Sequence, residues 1–361
     1  MDKFAFIFHP HDVPSLGDWV LEEPNLKLKK RRTVERALRW LPPFRRDTVT
    51  GIKSLTGKEI EGEMILWSMV PEQILNMDSK FTVSKLIEAG KIAQDLGAKI
   101  VGLGAYAAWI GKKGVTLAKE LDIPVTTGTS YTIVIVVDAM FEAAKSVGIS
   151  VDKSRVAIIG ATGTIGRVAS QLIAQYVNQV NLVARNTYRL EQLSDIISDS
   201  NKTIATVKIS TDIKDTLKNS DIIIIVTSTT TAIINLEDVQ PGTVICDISL
   251  PHNVSKEDAQ EREDILVMDG GVVLPPGNCD FHFNFGLAHG LAYACMAETM
   301  MLTLEGIFES YSIGGKITIK QVEKIDKIGK KHGFKLAAFK SFGHPVPQEK
   351  IEKIRKVVKN K

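Results

Sequence analysis

The chain has 361 residues, 44% of them hydrophobic, enough for two domains of ordinary size with a core in each. No apolar run approaches the roughly 20 residues of a membrane span, and the start, with Asp2, His9 and Asp12, lacks a signal-peptide pattern, so a cytoplasmic protein is expected. The net charge of +3 is uneven: residues 27–46 carry nine Lys or Arg against Glu35 alone, and residues 316–361 carry fourteen against four acids. Such runs attract an acidic protein, a nucleic acid or an anionic membrane surface, or simply solvate a face.

In chain order, residues 4–8 suggest a strand, and residues 38–44 are apolar, basic and broken by prolines. Strands are expected at 48–54 and 63–70, joined by a turn at Thr56-Gly57, then a helix at 82–96 stopped by Gly97. A strand at 98–103, a helix at 114–121 and a strand at 125–127 follow. A long helix at 130–147 leads into the next domain and is a candidate hinge.

Residues 155–159 form an apolar run that breaks into Gly160-Ala161-Thr162-Gly163-Thr164-Ile165-Gly166 and resumes with Ile165, Val168, Ala169, Leu172, Ile173 and Tyr176 at helical spacing. A second strand at 180–184 completes a βαβ unit, the context that turns a G-x-x-G-x-x-G string into a dinucleotide fingerprint. Gly160 permits the sharp exit, Gly163 the approach of a pyrophosphate and Gly166 the close packing of helix on strand. The phosphates would meet Thr162, Thr164 and Ile165 at the positive helix end. After the second strand comes Arg185-Asn186-Thr187-Tyr188-Arg189, with no carboxylate for a ribose hydroxyl, which favours NADP over NAD.

Strands at 203–207, 221–226, 243–248 and 265–268 continue the alternation, and Ser228, just past the second of these, should open onto the cofactor. The expected fold is α/β: a doubly wound parallel-sheet Rossmann domain for NADP at 149–285, a second α/β substrate domain at 1–148, and a helical segment at 286–361 packing back on the substrate domain. The stretch 286–307 reads as one helix rich in small residues.

Chemistry is harder to assign. Cys246, Cys279 and Cys295 are widely spaced, which argues against a disulfide framework or a zinc knuckle. His9-Pro10-His11 lacks a third ligand and reads as surface, so no metal is expected. Cys295 lies among small neighbours, as a packed residue or as a nucleophile, and His289 six residues earlier is a candidate base for it.

From Thr48 to Phe339 the sequence resembles the cyanobacterial-type long-chain acyl-(acyl carrier protein) reductases, which form fatty aldehydes. The shared landmarks are Leu103-Gly104-Ala105-Tyr106, Thr126-Thr127-Gly128, the 160–166 turn, Ala184-Arg185-Asn186, Gly270-Gly271-Val272-Val273 and Ala294-Cys295-Met296-Ala297-Glu298. The chain departs from that family at Tyr131, where histidine is usual, and at Ile248-Ser249-Leu250. The segment Asp247-Ile248-Ser249-Leu250-Pro251 is closer to glutamyl-tRNA reductases, but no cysteine precedes Cys246 here to serve that chemistry.

The resemblance implies that Cys295 is the catalytic nucleophile, that NADPH is the cofactor, and that the donor is an acyl thioester on an acidic acyl carrier protein or coenzyme A. It implies no nucleic-acid partner and allows transient contact with a membrane surface. An acyl tunnel is expected beside the 82–96 and 130–147 helices. An NADP-dependent dehydrogenase of small hydroxy acids, as in the shikimate family, and a non-catalytic NADP and lipid binding protein stay open as alternatives.

Overall fold

In the computed structural model, residues 1–11, 38–229, 232–249 and 252–361 are described. Most of the basic run at 27–46, and Leu250 of the 248–250 departure, lie outside the described residues. Strand β1 (Asp2–Phe8) sits between β3 (Glu59–Leu66) and β4 (Val101–Leu103), parallel to both, and β2 (Phe44–Lys53) runs antiparallel to β3. The turn between β2 and β3 closes where expected: Gly57 has φ +85° and donates its N–H to Ser54 O at 2.9 Å. Helix α1 (Ser79–Asp95) is capped by Asp78, whose carboxylate accepts from the N–H groups of Lys80 and Phe81. It buries Leu86, Ala89 and Ala93 in a core with Ile7, Trp67, Leu103 and Val125.

The expected helix at 114–121 is shorter, Leu117–Glu120, because Gly111, Lys112, Lys113 and Gly114 all have positive φ and break the pattern before it. Strand β5 (Val125–Thr126) completes the parallel part of this sheet, and α2 (Thr129–Val147) follows.

The second sheet is formed by β6 (Arg155–Ile159), β7 (Gln179–Val183), β8 (Thr206–Ser210), β9 (Ile222–Ile225), β10 (Val244–Asp247) and β11 (Leu266–Asp269). All neighbours are parallel, in the order β11-β10-β9-β6-β7-β8. That order is the doubly wound arrangement of dinucleotide-binding folds, with β6 and β9 flanking the point where the winding reverses. The four isoleucines of β9 are wholly buried, as a strand covered on both faces requires. Helices α3 (Thr164–Ile173) and α4 (Thr187–Ser198) join the first three strands. Tyr176, expected on the inward helical face, lies beyond the end of α3 and is 52% exposed, its ring edge-on to Phe141.

Strand β12 (Val272–Leu274) leads to β13 (Gly277–Asp280), which pairs antiparallel with β2 at the edge of the first sheet. The single helix expected at 286–307 is confined to α5 (Ala294–Glu305), because Gly286 and Gly290 adopt φ +91° and +77° and prevent an earlier start. Helices α6 (Ile319–His332) and α7 (Gln348–Lys359) end the chain.

Two units result, Met1–Tyr131 with Val273–Lys335, and Thr132–Val272 with Leu336–Lys361. The segment expected to pack as one piece from 286 to 361 is therefore divided. Its last part belongs to the nucleotide-type unit, where the Arg355 guanidinium donates to Ser146 O and Lys353 pairs with Glu263 at 2.6 Å. No helix among the described residues is long and apolar enough to cross a membrane. Ile224→Ala should lower stability by about 2–5 kcal/mol through the cavity it leaves in the parallel sheet, seen as a lower urea midpoint.

Candidate active site and nucleotide cradle

In the first unit Cys295 is the second residue of α5, where backbone N–H groups have no intrahelical acceptor. No side chain caps this helix. The N–H groups of this first turn, with that of Ala105 from the turn after β4, act to lower the thiol pKa. Such donors favour a thiolate. Burial outweighs them and, with the nearby Glu298 carboxylate, pushes the thiol up to about 12. Cys295 is half-buried, whereas Cys246 and Cys279 are sealed in their cores at 0% and 1% exposure.

Glu298, one turn along α5, is wholly buried. Its Oε1 accepts from Thr126 Oγ1 at 2.5 Å and its Oε2 from Tyr131 N at 2.8 Å, with Ser312 and the Ser130 N–H also donating. Desolvation still raises its pKa above the ordinary carboxylate value. Between these donors lies Gly128 at φ +69°, where a Cβ would stand 2.1 Å from Cys295 Cα, so only glycine lets this loop approach the cysteine. The sequence motifs at 126–128 and 294–298 thus form one contact. The Glu298 role carried no sequence signal beyond its place in the motif, because the donors come from residues 126–131 and 312.

His289 is not placed as a base: its side chain is 78% exposed and its Nε2 lies 3.5 Å from Asp280. His9, read from sequence as surface, is instead 3% exposed. Its Nδ1–H donates to Pro10 O at 2.9 Å and its Nε2 accepts from Tyr106 N at 3.1 Å. Burial lowers its pKa to about 4. The inward residues of α1, beside which an acyl tunnel was expected, include Leu86, Ala89 and Ala93, all filled into the core.

In the second unit Gly160 has φ +93° and ends β6 with a sharp exit. A Cβ at Gly166 would stand 2.4 Å from Gly160 O, which explains the third glycine. Gly163 is exposed at the N-cap of α3, with no side chain capping the helix, and Thr162, Thr164 and Ile165 are half-buried around it. This arrangement suits a pyrophosphate on main-chain N–H groups. Arg185, Asn186 and Arg189 are exposed past the end of β7. Asn186 has a structural task as well, since its Oδ1 accepts the Arg189 N–H at 2.9 Å and caps α4. Ser228 is exposed past the end of β9.

One cluster here was not anticipated. His252 lies between Asp247 and Asp269 at 3.6 and 3.5 Å, past the ends of β10 and β11. Burial opposes its protonation, but the hydrogen bond and charge of Asp247, with Asp269, raise its pKa overall. Its partners are 5 and 17 positions away along the chain, and only the parallel pairing of β10 and β11 brings them to one histidine.

Residues 141–269 match the family model described as shikimate / quinate 5-dehydrogenase. Over 98% of its length the chain is 27% identical to aminotransferase PigE of a Serratia species, spanning 42% of that protein. Over 81% it is 28% identical to the long-chain acyl-[acyl-carrier-protein] reductase of Synechococcus elongatus, spanning 87% of it. L-tryptophan dehydrogenase from Nostoc punctiforme is 13% identical, with all of this chain and 89% of that one covered at a TM-score of 0.41. The family match falls on the parallel, doubly wound sheet, and the chain spans less than half the length of the aminotransferase it matches.

The state of His9 is testable by pH. Folding favours its neutral form, so between its ordinary pKa of 6.5 and about 4 the folded chain binds fewer protons than the unfolded one. Relative to His9→Gln, the parent should gain stability as pH rises through that window and gain nothing further above it, measured by urea unfolding at a series of pH values.

Proposed function

We propose that the protein reduces long-chain fatty acyl thioesters to fatty aldehydes with NADPH, through an acyl group carried on Cys295. The observation that carries this reading is the placement of Cys295: a half-buried sulfur in the uncapped first turn of a helix, held against Gly128, in a chain 28% identical to an acyl-carrier-protein reductase over 312 residues.

Cys295 attacks the thioester carbonyl, the carrier's thiol leaves with the sulfur's proton, and the acyl group stays on the enzyme as a thioester. With its pKa near 12, the sulfur is a protonated thiol at neutral pH, so its proton departs as the new bond forms rather than beforehand. As that bond forms, negative charge builds on the substrate carbonyl oxygen, for which main-chain N–H groups at the uncapped start of α5 would be donors. The Glu298 and Gly128 contacts hold the first turn of α5 still while this happens.

Gly160, Thr162, Gly163, Thr164, Ile165 and Gly166 would hold the cofactor pyrophosphate, with Ser228 bordering it. Arg185 and Arg189 would take a 2′-phosphate, beside Asn186. Bound there, NADPH would supply the hydride that reduces the acyl thioester to the aldehyde, the C–S bond breaking and a solvent proton restoring the Cys295 thiol. An acidic acyl carrier protein suits the basic run at 27–46, although Arg45 is engaged with Glu63 at 2.6 Å and Arg46 with Asp47 at 3.3 Å. Coenzyme A offers the same reactive arm. A cytoplasmic location would give access to either donor.

The dehydrogenase-type match at 141–269 favours one rival, an NADP-dependent dehydrogenase of a small hydroxy acid, whose activity would survive Cys295→Ala. Intact-protein mass after mixing with a long-chain acyl thioester decides between them. A single acyl adduct on the parent, absent from Cys295→Ala and released as aldehyde on adding NADPH, is expected; no adduct with either carrier would sink the thioacyl route. Replacing Arg185 and Arg189 together with serine should raise KM for NADPH by about tenfold or more while leaving NADH little changed, as two lost charge-assisted contacts imply.

A further inference from the structure

The glycine turn of the nucleotide cradle is backed by the segment leaving β9. A Cβ at Gly160 would stand 2.7 Å from Val226 O and 3.3 Å from Thr227 Cα, so these residues lie directly against the turn. Thr227 is held there from its other side. Its N–H donates to Ser249 Oγ at 3.3 Å, its hydroxyl donates to Asn253 Oδ1, and Asn253 Nδ2 donates to Thr229 O at 3.1 Å. One carboxylate places both partners: Asp247 accepts the Ser249 N–H at 3.0 Å and the Asn253 N–H at 2.6 Å.

Asp247 is 2% exposed and lies 3.6 Å from His252 Nδ1, while His252 Nε2 lies 3.5 Å from Asp269. Asp269 in turn accepts the N–H groups of Phe342 and Gly343 at 2.7 Å each, and the Phe342 ring packs edge-on to the imidazole at 5.0 Å. A continuous series of contacts thus joins the Gly160 turn to the hairpin in which Lys340–Ser341 pairs with His344–Pro345.

We infer that His252 is a positioning residue for the cofactor: as a cation between Asp247 and Asp269 it holds Asp247 in place, and through Ser249 and Asn253 it fixes Thr227 against the Gly160 turn. The inference rests on reading residues 160–166 as the nucleotide site. Asp247 and Asp269 are register partners at the ends of adjacent parallel strands, where two carboxylates repel each other, and a cation between them cancels that repulsion. Together they raise the His252 pKa above its ordinary 6.5 against the opposing effect of burial. The hairpin packed on the cluster brings two further titratable groups, Lys340, which borders the same crevice as Asp269, and the exposed His344. Once His252 loses its proton the carboxylates repel and the tie to Thr227 loosens, so cofactor affinity should fall as pH rises through its titration.

The test is the dissociation constant of NADPH, read from the nucleotide's own fluorescence, from about pH 6 to pH 9 in the parent, His252→Gln and His252→Lys. Titration of the cofactor phosphate affects all three alike and cancels in their ratios. The parent should bind about fivefold more tightly than His252→Gln at the acid end and equally at the alkaline end, as expected for linked sites of modest coupling. His252→Lys keeps its charge throughout, so it should match the parent at the acid end and exceed it at the alkaline end. His344→Gln should reproduce the parent profile.

A parent-to-glutamine ratio that is constant with pH overturns the inference, since a merely structural histidine would give that result. Should this variant not fold, a constant ratio between parent and His252→Lys overturns it. Loss of the pH dependence in His344→Gln would assign the effect to the hairpin and overturn it as well. A parent that binds no NADPH at any pH would remove the nucleotide reading and this role with it, whereas binding with flat ratios would remove the positioning role alone.

Discussion

The first unit depends on one buried carboxylate. Glu298 is removed from water and receives donors from Thr126, Ser130, Tyr131 and Ser312. A carboxylate in such a place is costly unless its lone pairs are filled, so each donor segment is held where it is. The loop 126–131 and the residue at 312 are thereby tied to the first turn of α5. Ser312 itself takes a positive φ of 55°, and its oxygens bind Thr127 and Ser130 in turn. The place of Cys295 in the unit follows from this clamp, because Gly128 lies against its Cα inside the loop that the clamp holds.

The same surroundings set the chemistry of the sulfur. Three N–H groups make the site hospitable to negative charge, while burial and the Glu298 carboxylate oppose it, and the balance leaves a neutral thiol at rest. A thiol of this kind is slow to oxidise or to be alkylated, since both need the thiolate.

The second unit uses main-chain geometry instead of side-chain charge. Close approach of Gly166 to Gly160 O sets the start of α3, and the lack of a capping side chain leaves its N–H groups directed outward. A strongly β-branched sheet buried on both faces makes that platform rigid. The carboxyl ends of β9, β10 and β11 add a hydrogen-bonded cluster in which Asp247 accepts the N–H groups of Ser249, Asn253 and Val254. That cluster also draws in the turn near the chain's end, since the Asp269 carboxylate accepts the N–H groups of Phe342 and Gly343 and the Phe342 ring packs edge-on to His252.

The nucleotide-type unit was legible because its signals are local. The glycine spacing, the apolar period of α3 and the alternation of strands and helices all lie within contiguous stretches, and backbone sterics act over the same few residues. The reading failed where neighbours along the chain were a poor guide: Tyr176 past the end of its helix, the two glycines that delay α5, the last 26 residues that belong with the second unit, and above all His9. A histidine in His-Pro-His shows nothing in sequence of the amide 97 positions away that it accepts. Glu298 likewise had a motif but no partners until residues 126, 130, 131 and 312 came together. Sequence alone determined the Rossmann sheet and marked Cys295 as a residue of interest, since these rest on local pattern and on resemblance. Tertiary structure alone decided what surrounds that sulfur, because desolvation and hydrogen bonding are properties of groups brought together by folding.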